Sequence, residues 1–489
     1  MTDSLSNPIT KVIVHMYKMG TGDCFVLKFM AKEQETFKMM IDCGTWNRKF
    51  VDIRPFISTL KKDVSKHVDV MVVTHEHKDH VLGFQAGKKQ FTSGFNIDRI
   101  WMGWSENDTD EKVKSWKDKH GEKKAALNLA VSQLKDPAHK RRTERQLDGS
   151  SHLNEIIEQR RYFAEVLADF AELHVSGGEY KGSLQGMAVV KKDIANNNIS
   201  YFRPGTVMEN IEGLEGVRIY VLGPPELWER IRQESGEEGE AYKHNRELEE
   251  SDLFLQALEA NGTSQPDNTL YPFEEFYLMD KGEKLKPYER PEESWRRIDY
   301  DWLYSSGAFA LRMNSLTNNL SLALAFEFLP SGKVILFPGD AEFGSWKSWH
   351  DINWKDKGYD VSTEDLLNRV VFYKVAHHLS HNGTARSIGL DMMTHDGLAA
   401  MATLDYDDIS NGWKSTMPNR QIIRDLLEKT KGRTMILNET GLHYDFEGQI
   451  PLSDEIATYR EKMSDDEKEK FKNAYNNKSE HYLEYVVTL

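Results

Sequence analysis

The sequence is poor in cysteine and proline, with only Cys24, Cys43 and 14 prolines among 489 residues. Two cysteines are too few for the disulfide framework of a small secreted fold, so we expect a reducing, cytoplasmic environment. No apolar stretch follows the polar residues 1–10, so we expect no signal peptide. The longest apolar runs, such as 68–73 and 321–326, are far shorter than the roughly 20 residues of a membrane span. We therefore expect no contact with a membrane.

Positive charge is in deficit, because 63 Lys and Arg face 78 Asp and Glu, a net charge of −15. Such a balance disfavours indiscriminate nucleic-acid binding. The distribution is uneven: residues 112–145 carry 11 basic and 4 acidic side chains, whereas residues 229–252 carry 9 acidic and 4 basic ones. Each segment reads either as the solvated face of a helix or, for the basic one, as a surface that helps to hold a polyanion.

The hydrophobic pattern predicts an α/β protein. Alternating apolar residues predict strands over 11–17, 24–29 and 37–41, helical spacing predicts a helix over 53–64, and a short β-branched run predicts a buried strand over 68–73. A strand, helix and strand in succession are typical of an α/β core. Later strands are predicted over 217–222, 308–313, 321–328, 333–337, 370–375, 434–438 and 482–489, and later helices over 227–258, 422–430 and 452–477.

The length alone suggests roughly three domains, but the order of strand-rich and helical stretches favours one domain that is interrupted by an insertion. Strand-rich stretches lie at both ends of the chain, and a charged block with helical spacing lies between them. We divide the chain into the first half of the core, a mostly helical insertion, a core strand with an acidic helical and irregular insertion, the second half of the core, and a C-terminal helix and strand. These segments are 1–105, 106–215, 216–310, 311–450 and 451–489.

Three histidines and an aspartate follow the predicted strand 68–73 within a few residues: His75, His77, Asp79 and His80. Imidazole nitrogens and carboxylate oxygens are the ligands of Zn²⁺ and related divalent ions. Residues two apart in an extended stretch point the same way, so His75 and His77 can bind one ion together. Where the chain turns into a helix, Asp79 and His80 are redirected toward a second ion. The pattern therefore predicts a metal site.

With this cluster, the sequence resembles the metallo-β-lactamase superfamily, and most closely the soluble ComEC-type competence-protein hydrolase domain. Further stretches that fit this branch in order are Gly20-Thr21-Gly22-Asp23-Cys24, Met40-Ile41-Asp42-Cys43-Gly44, Val221-Leu222-Gly223-Pro224-Pro225, Asn318-Asn319-Leu320-Ser321, Leu336-Phe337-Pro338-Gly339-Asp340-Ala341-Glu342 and Lys374-Val375-Ala376-His377-His378-Leu379-Ser380. The resemblance covers about residues 10–85, 215–226 and 315–445. It implies a four-layer αββα fold with a large, mostly helical insertion and a C-terminal helical extension.

The resemblance also implies roles for individual residues. His75 and His77 would bind a first metal ion, and Asp79, His80 and His378 a second, with Asp340 bridging the two. We choose His378 over His377 because relatives place this ligand two residues before a serine, here Ser380. Asp42 would stand behind the metal turn and orient one of the ligands.

One ligand expected of the superfamily has no clear counterpart here. Most members contribute another histidine to the first metal, and the one candidate, His174, reads better as a core or surface residue. Either water or Asn319 completes the first site, or the ion prefers oxygen ligands, as Mn²⁺ does. The predicted cofactors are thus two divalent ions, zinc or manganese.

The predicted function is metal-dependent hydrolysis, because two such ions activate water and neutralise charge on a scissile group. Asp79, His377 and His381 are the catalytic candidates, and Lys374 and Ser380 the substrate-binding ones, close to the ligand His378. The resemblance favours phosphodiester substrates, hence a nuclease acting on DNA or RNA. Two alternatives stay open: a small-molecule hydrolase for a cyclic nucleotide, lactone or other ester, and a subunit that binds a protein partner through the helical insertion.

Overall fold

The structure is a computed structural model of the chain. It describes residues 8–46, 52–117, 183–195, 198–233, 235–237, 239–242, 315–409, 414, 417–443 and 451–489. The chain divides into two compact units, the first comprising residues 1–115, 173–246 and 315–489, and the second residues 116–172 and 247–314. Apart from Trp116 and Lys117, the second unit lies outside the described residues, as do His174 and the strand predicted over 308–313.

All described strands belong to the first unit. In chain order they are β1 (Lys11–Tyr17), β2 (Phe25–Ala31), β3 (Gln34–Ile41), β4 (His67–Val73), β5 (Asn96–Gly103), β6 (Ile199–Phe202), β7 (Val207–Met208), β8 (Val217–Gly223), β9 (Ala323–Phe328), β10 (Lys333–Phe337), β11 (Val370–Lys374), β12 (Ala399–Ala402), β13 (Thr434–Ile436), β14 (Tyr475–Asn476) and β15 (Tyr482–Thr488). The described helices are α1 (Arg54–Asp63), α2 (Lys78–Ala86), α3 (Lys88–Gly94), α4 (Ser183–Val189), α5 (Trp228–Arg232), α6 (Phe343–Trp349), α7 (Thr363–Asn368), α8 (Arg420–Lys429), α9 (Ser453–Glu461) and α10 (Asp465–Ala474).

The strands form two mixed sheets. The first has the order β14-β15-β1-β2-β3-β4-β5-β6, and the second the order β13-β12-β11-β10-β9-β8-β7. Strands β3 to β6 run parallel to one another in the first sheet, and β10 to β13 do so in the second. Each sheet completes its width with antiparallel strands, such as β1 with β2 and β9 with β10. The expected α/β class is confirmed.

The two sheets pack face to face over one apolar core. Phe25 of the first sheet meets Phe337 of the second with ring centroids 5.5 Å apart, and Phe29 meets Phe326 at 6.1 Å. The outer face of the first sheet packs against α1, α2 and α3, which bury Ile57, Phe84 and Phe91. On the second sheet, Tyr373 of β11 packs against Trp346 of α6. Helices therefore cover the outer faces of both sheets.

Two predicted helices are wrong in extent. The helix predicted over 227–258 ends at Arg232, after which Gln233 is extended and glycines at 236 and 239 interrupt the chain; residues 243–258 lie outside the described part. The helix predicted over 452–477 is two helices followed by β14. The second of them starts at a capping box, in which Ser464 and Glu467 each accept a hydrogen bond from the other's backbone N–H.

None of the helices in the described part of the chain combines the length and apolar character that a membrane span needs.

Candidate metal centre

The centre lies where parallel strands of both sheets end. In the first sheet, Asp42 follows β3 and Thr74 follows β4; in the second, Asp340 lies shortly after β10, and Thr403 follows β12. After β4 the chain bends at Glu76, and His77, extended with φ of −65° and ψ of 151°, precedes the first turn of α2. The carboxyl ends of parallel strands are where α/β proteins bind ligands, because the connecting loops converge there.

Four predicted ligands converge at this place. One ligand atom from each of Asp79, His80, Asp340 and His378 lies within 4.8 Å of every other, and all four residues are buried. Asp340 Oδ2 is 2.9 Å from His80 Nε2 and 3.2 Å from His378 Nε2, and Asp79 Oδ2 is 3.2 Å from His378 Nε2. Two imidazoles and two carboxylates in so small a space are a donor set suited to Zn²⁺ or Mn²⁺.

The electrostatics of the centre fit a bound cation. Burial raises the pKa of Asp79, but the charges of His80 and His378 outweigh it and lower that pKa to about 2. Burial lowers the pKa of His378, but Asp340 and Asp79 raise it to about 9. These carboxylates therefore hold protons on the imidazoles, and a divalent ion would displace those protons, since histidine binds metals in its neutral form. Asp79 Oδ1 is buried without a hydrogen-bond partner, a free acceptor that a cation would satisfy.

Each of the two histidines in the group has a hydrogen-bond partner at Nδ1, the ring nitrogen that faces away from Asp340. His80 Nδ1 donates to Asp42 Oδ2 over 2.8 Å, and the Asp42 carboxylate also accepts from the Thr74 N–H at 2.8 Å and the Thr74 hydroxyl at 2.6 Å. His378 Nδ1 lies 2.8 Å from Thr403 Oγ1, which donates to Asp23 Oδ1 at 2.6 Å. With Nδ1 engaged in this way, Nε2 of each ring is directed at Asp340.

His75 and His77 contact each other but do not belong to the group of four ligands. His75 Nε2 is 3.0 Å from His77 Nδ1, and His75 Nδ1 is within hydrogen-bonding distance of the Thr74 and Ser321 hydroxyls, at 3.1 and 3.2 Å. Burial, followed by the charge of His80, lowers the pKa of His75 well below its ordinary value. Within the described residues, no third metal-binding side chain joins this pair to form a group of three.

Lys374, predicted to bind substrate, is 1% exposed. Its ammonium donates to the Gly339 carbonyl at 2.9 Å and to Asp340 Oδ1 at 3.1 Å, and it also pairs with Asp23. Three contacts use the three donors of an ammonium group. The structure thus turns this side chain inward, onto the carboxylates that support the centre.

His377, a catalytic candidate, lies beside the centre in a separate polar pocket. Its Nδ1 is 3.1 Å from Glu342 Oε1, and its Nε2 is 3.3 Å from the side-chain amide of Asn318. His377, His378 and Leu379 all have left-handed backbone angles, with φ of 46°, 48° and 67°. Non-glycine residues adopt this conformation at a cost of about 1–2 kcal/mol each, and such strain concentrates at functional sites.

The remaining candidates are less tightly connected to the ligands. Ser380 is buried and its hydroxyl donates to Asn382 Oδ1 at 3.2 Å, whereas His381 is half-buried. Asn319 hydrogen-bonds to the Ile231 carbonyl and to the N–H groups of Glu342 and Ser345, so its amide fastens the start of α6. The structure does not bring Asn319 into hydrogen-bonding contact with the His75–His77 pair.

Sequence reasoning missed several residues that support the centre. In the sequence, Asp23 stands out only as part of the stretch 20–24, yet its carboxylate accepts from the Thr403 hydroxyl, pairs with Lys374 and lies 3.8 Å from both His80 and His378. The signal was present, because an aspartate in Gly20-Thr21-Gly22-Asp23 directly precedes a buried strand. Nothing in the sequence around Thr403 points to a role, because its role depends on contact with His378, which lies 25 residues earlier.

No known protein-family model matches this sequence, and a comparison with curated proteins found no match.

Proposed function

We propose that this protein is a metal-dependent hydrolase of the metallo-β-lactamase type, which cleaves phosphodiester bonds in DNA or RNA. The observation that carries the proposal is the convergence of Asp79, His80, Asp340 and His378 within 4.8 Å of one another. These residues come from three separate stretches of the chain, and Asp79 and His80 belong to the His-x-His-x-Asp-His motif. Buried acid and imidazole groups so concentrated are unfavourable without a cation.

The architecture supports the same proposal. Two face-to-face mixed sheets covered by helices are compatible with the four-layer αββα arrangement of that superfamily. The motifs also stand at the strand ends that this fold uses. The two free, buried cysteines fit a reducing compartment, and we propose a cytoplasmic location.

The chemistry divides between the cation and the side chains around it. A bound divalent cation is a Lewis acid that makes hydroxide available at neutral pH and stabilises negative charge on a phosphoryl group. Asp79, His80, Asp340 and His378 would hold it. Asp79 has two oxygens, and the one that does not hold the cation is our candidate for accepting a proton from the attacking water. His377, between Glu342 and Asn318, is our candidate for moving a proton to the leaving group.

The choice of phosphodiesters over other esters rests on the sequence. Residues 112–145 have an excess of seven positive charges in an otherwise acidic chain, and a polyanion would be attracted to such a segment. Most of this segment lies outside the described residues. The competing interpretation is that residues 112–145 bind a protein partner.

The test is a hydrolysis screen with Mn²⁺, Zn²⁺ and Mg²⁺ on single-stranded DNA, duplex DNA, RNA, bis(p-nitrophenyl) phosphate, a cyclic nucleotide and a lactone. We expect cleavage of a nucleic acid by the wild type and its loss in Asp79→Asn and His80→Ala. Asp351→Asn is the matched control, because Asp351 forms a partly exposed ion pair with Arg230 at 2.7 Å and belongs to no candidate metal group among the described residues. Cleavage of small esters alone would favour the small-molecule enzyme, and no cleavage with any of the metals would refute the proposal.

A further inference from the structure

The two oxygens of Asp340 have different surroundings. Oδ2 faces the imidazoles of His80 and His378, at 2.9 and 3.2 Å. Oδ1 accepts from the Lys374 ammonium at 3.1 Å and from the His377 N–H at 3.2 Å. A carboxylate that bridges two metal ions needs one oxygen for each, and here the second oxygen already has two donors.

We infer that the centre holds one tightly bound divalent cation, at Asp79, His80, Asp340 and His378, and that Lys374 occupies the place of a second cation on Asp340. The inference rests on the proposed metal centre but not on hydrolysis. It departs from the two ions that the sequence predicts.

Charge supports a fixed role for Lys374. Four buried aspartates (Asp23, Asp42, Asp79 and Asp340) surround the centre, and Lys374 forms ion pairs with two of them, Asp23 and Asp340. The ammonium lies 1% exposed at the end of β11, whose pairing with β12 fixes its position. A buried carboxylate without a counter-charge is costly, so Lys374 neutralises the side of Asp340 that the ligand group does not use.

The ligand count supports the same conclusion. The site predicted for a first ion offers only His75 and His77 among the described residues, and His75 Nδ1 already faces the hydroxyls of Thr74 and Ser321. The predicted second site offers four ligands. Structural and catalytic ions usually have three or four protein ligands, so tight binding is expected at the second site alone.

The experiment measures Mn²⁺ bound per chain, by elemental analysis after equilibrium dialysis, together with the electron paramagnetic resonance spectrum. Neither readout requires turnover. The variants are Asp79→Asn, His77→Ala and Lys374→Met, and Lys28→Met is the matched control, since Lys28 forms an ion pair with Asp63 at 2.6 Å.

We expect the wild type, His77→Ala and Lys28→Met each to retain one ion with the spectrum of an isolated Mn²⁺, and Asp79→Asn to lose it. Lys374→Met, in which Asp340 Oδ1 loses the ammonium and keeps only the His377 N–H, should take up a second ion and show spin coupling. Two tightly bound, coupled ions in the wild type would overturn the inference, as would loss of the bound ion in His77→Ala. If Lys374→Met folds and still binds one ion, Lys374 does not exclude the second. One bound ion without hydrolysis would refute the proposed function and leave this inference standing.

Discussion

Replacing Asp42 by asparagine should weaken metal binding without unfolding the protein. The Asp42 carboxylate is fully buried and accepts three hydrogen bonds, two from Thr74 and one from His80 Nδ1. In Asp42→Asn the amide oxygen can still accept from the Thr74 N–H, but an NH₂ group then faces His80. The ring must respond by accepting at Nδ1 and carrying its proton on Nε2, the atom that faces Asp340. That tautomer has no lone pair for a metal.

The expected loss of metal affinity can be taken from other metal sites in which a carboxylate supports a histidine ligand. Loss of a carboxylate behind a metal-binding histidine typically lowers metal affinity about 10- to 100-fold. In free energy this is about 1.4–2.8 kcal/mol. The metal-free fold should change little in stability, because burial raises the pKa of Asp42 and the charged carboxylate is itself unfavourable there. Asparagine also tolerates the left-handed backbone at this position, where φ is 56°.

Isothermal titration with Mn²⁺ or Zn²⁺ measures the affinity, and thermal unfolding in a chelator measures the stability of the metal-free protein. Asp425→Asn is the matched control, because Asp425 lies on α8, accepts from the Tyr242 hydroxyl at 2.9 Å and belongs to no candidate metal group among the described residues. An Asp42→Asn protein that binds metal as tightly as the wild type would refute the role of Asp42. A large loss of stability in the chelator would show that the carboxylate serves the fold rather than the ligand.

Three other perturbations have defined outcomes. Burial raises the pKa of Asp63, but the hydrogen bonds and charges of His15 and Lys28 together outweigh it and lower that pKa from 3.8 to about 2. The charged carboxylate therefore stabilises the fold above pH about 4, and about 2 kcal/mol is lost as the pH falls through 2. Urea unfolding between these pH values should show that loss in the wild type and not in Asp63→Asn. Gly44→Ala would place a Cβ 2.2 Å from the backbone of Asp79, so it should lower the stability by about 1–3 kcal/mol and weaken metal binding. Gly397→Ala is its control and should do neither, because the nearest atom to its Cβ is 3.2 Å away. Added metal at about 100 times its dissociation constant should stabilise the wild type by about 2.7 kcal/mol, measured by thermal unfolding against a chelator, and should not stabilise Asp79→Asn.

The parts of the fold that the sequence predicts are those with strong apolar periodicity. The strand predicted over 11–17 is found as β1, and the helix over 53–64 is found as α1. Strands β6 and β12 were not predicted, because four residues such as Ala399–Ala402 carry no strand signal of their own. In the fold, β12 lies between β11 and β13, which supply hydrogen bonds on both sides, and β6 pairs along its one inner edge with β5.

The same distinction separates the ligands from the residues that support them. His75, His77, Asp79 and His80 are adjacent in sequence, so their chemistry is visible as a motif. Lys374 is predicted to bind substrate because it lies close in the sequence to the proposed ligand His378. Its inward direction depends on Asp23 and Asp340, which lie 351 and 34 residues earlier and which only the fold brings to it.

The topology explains why that supporting network is hidden from the sequence. Each sheet contributes the ends of parallel strands to the same place, so a side chain after β3 meets one after β4, and a side chain after β10 meets one after β11. Contacts across the two sheets, such as His80 with Asp340, join residues 260 positions apart. A motif reveals which residues can bind a cation, whereas the number of cations depends on which carboxylate oxygens the rest of the fold has already neutralised. For this protein, that second question turns on the contact between Lys374 and Asp340.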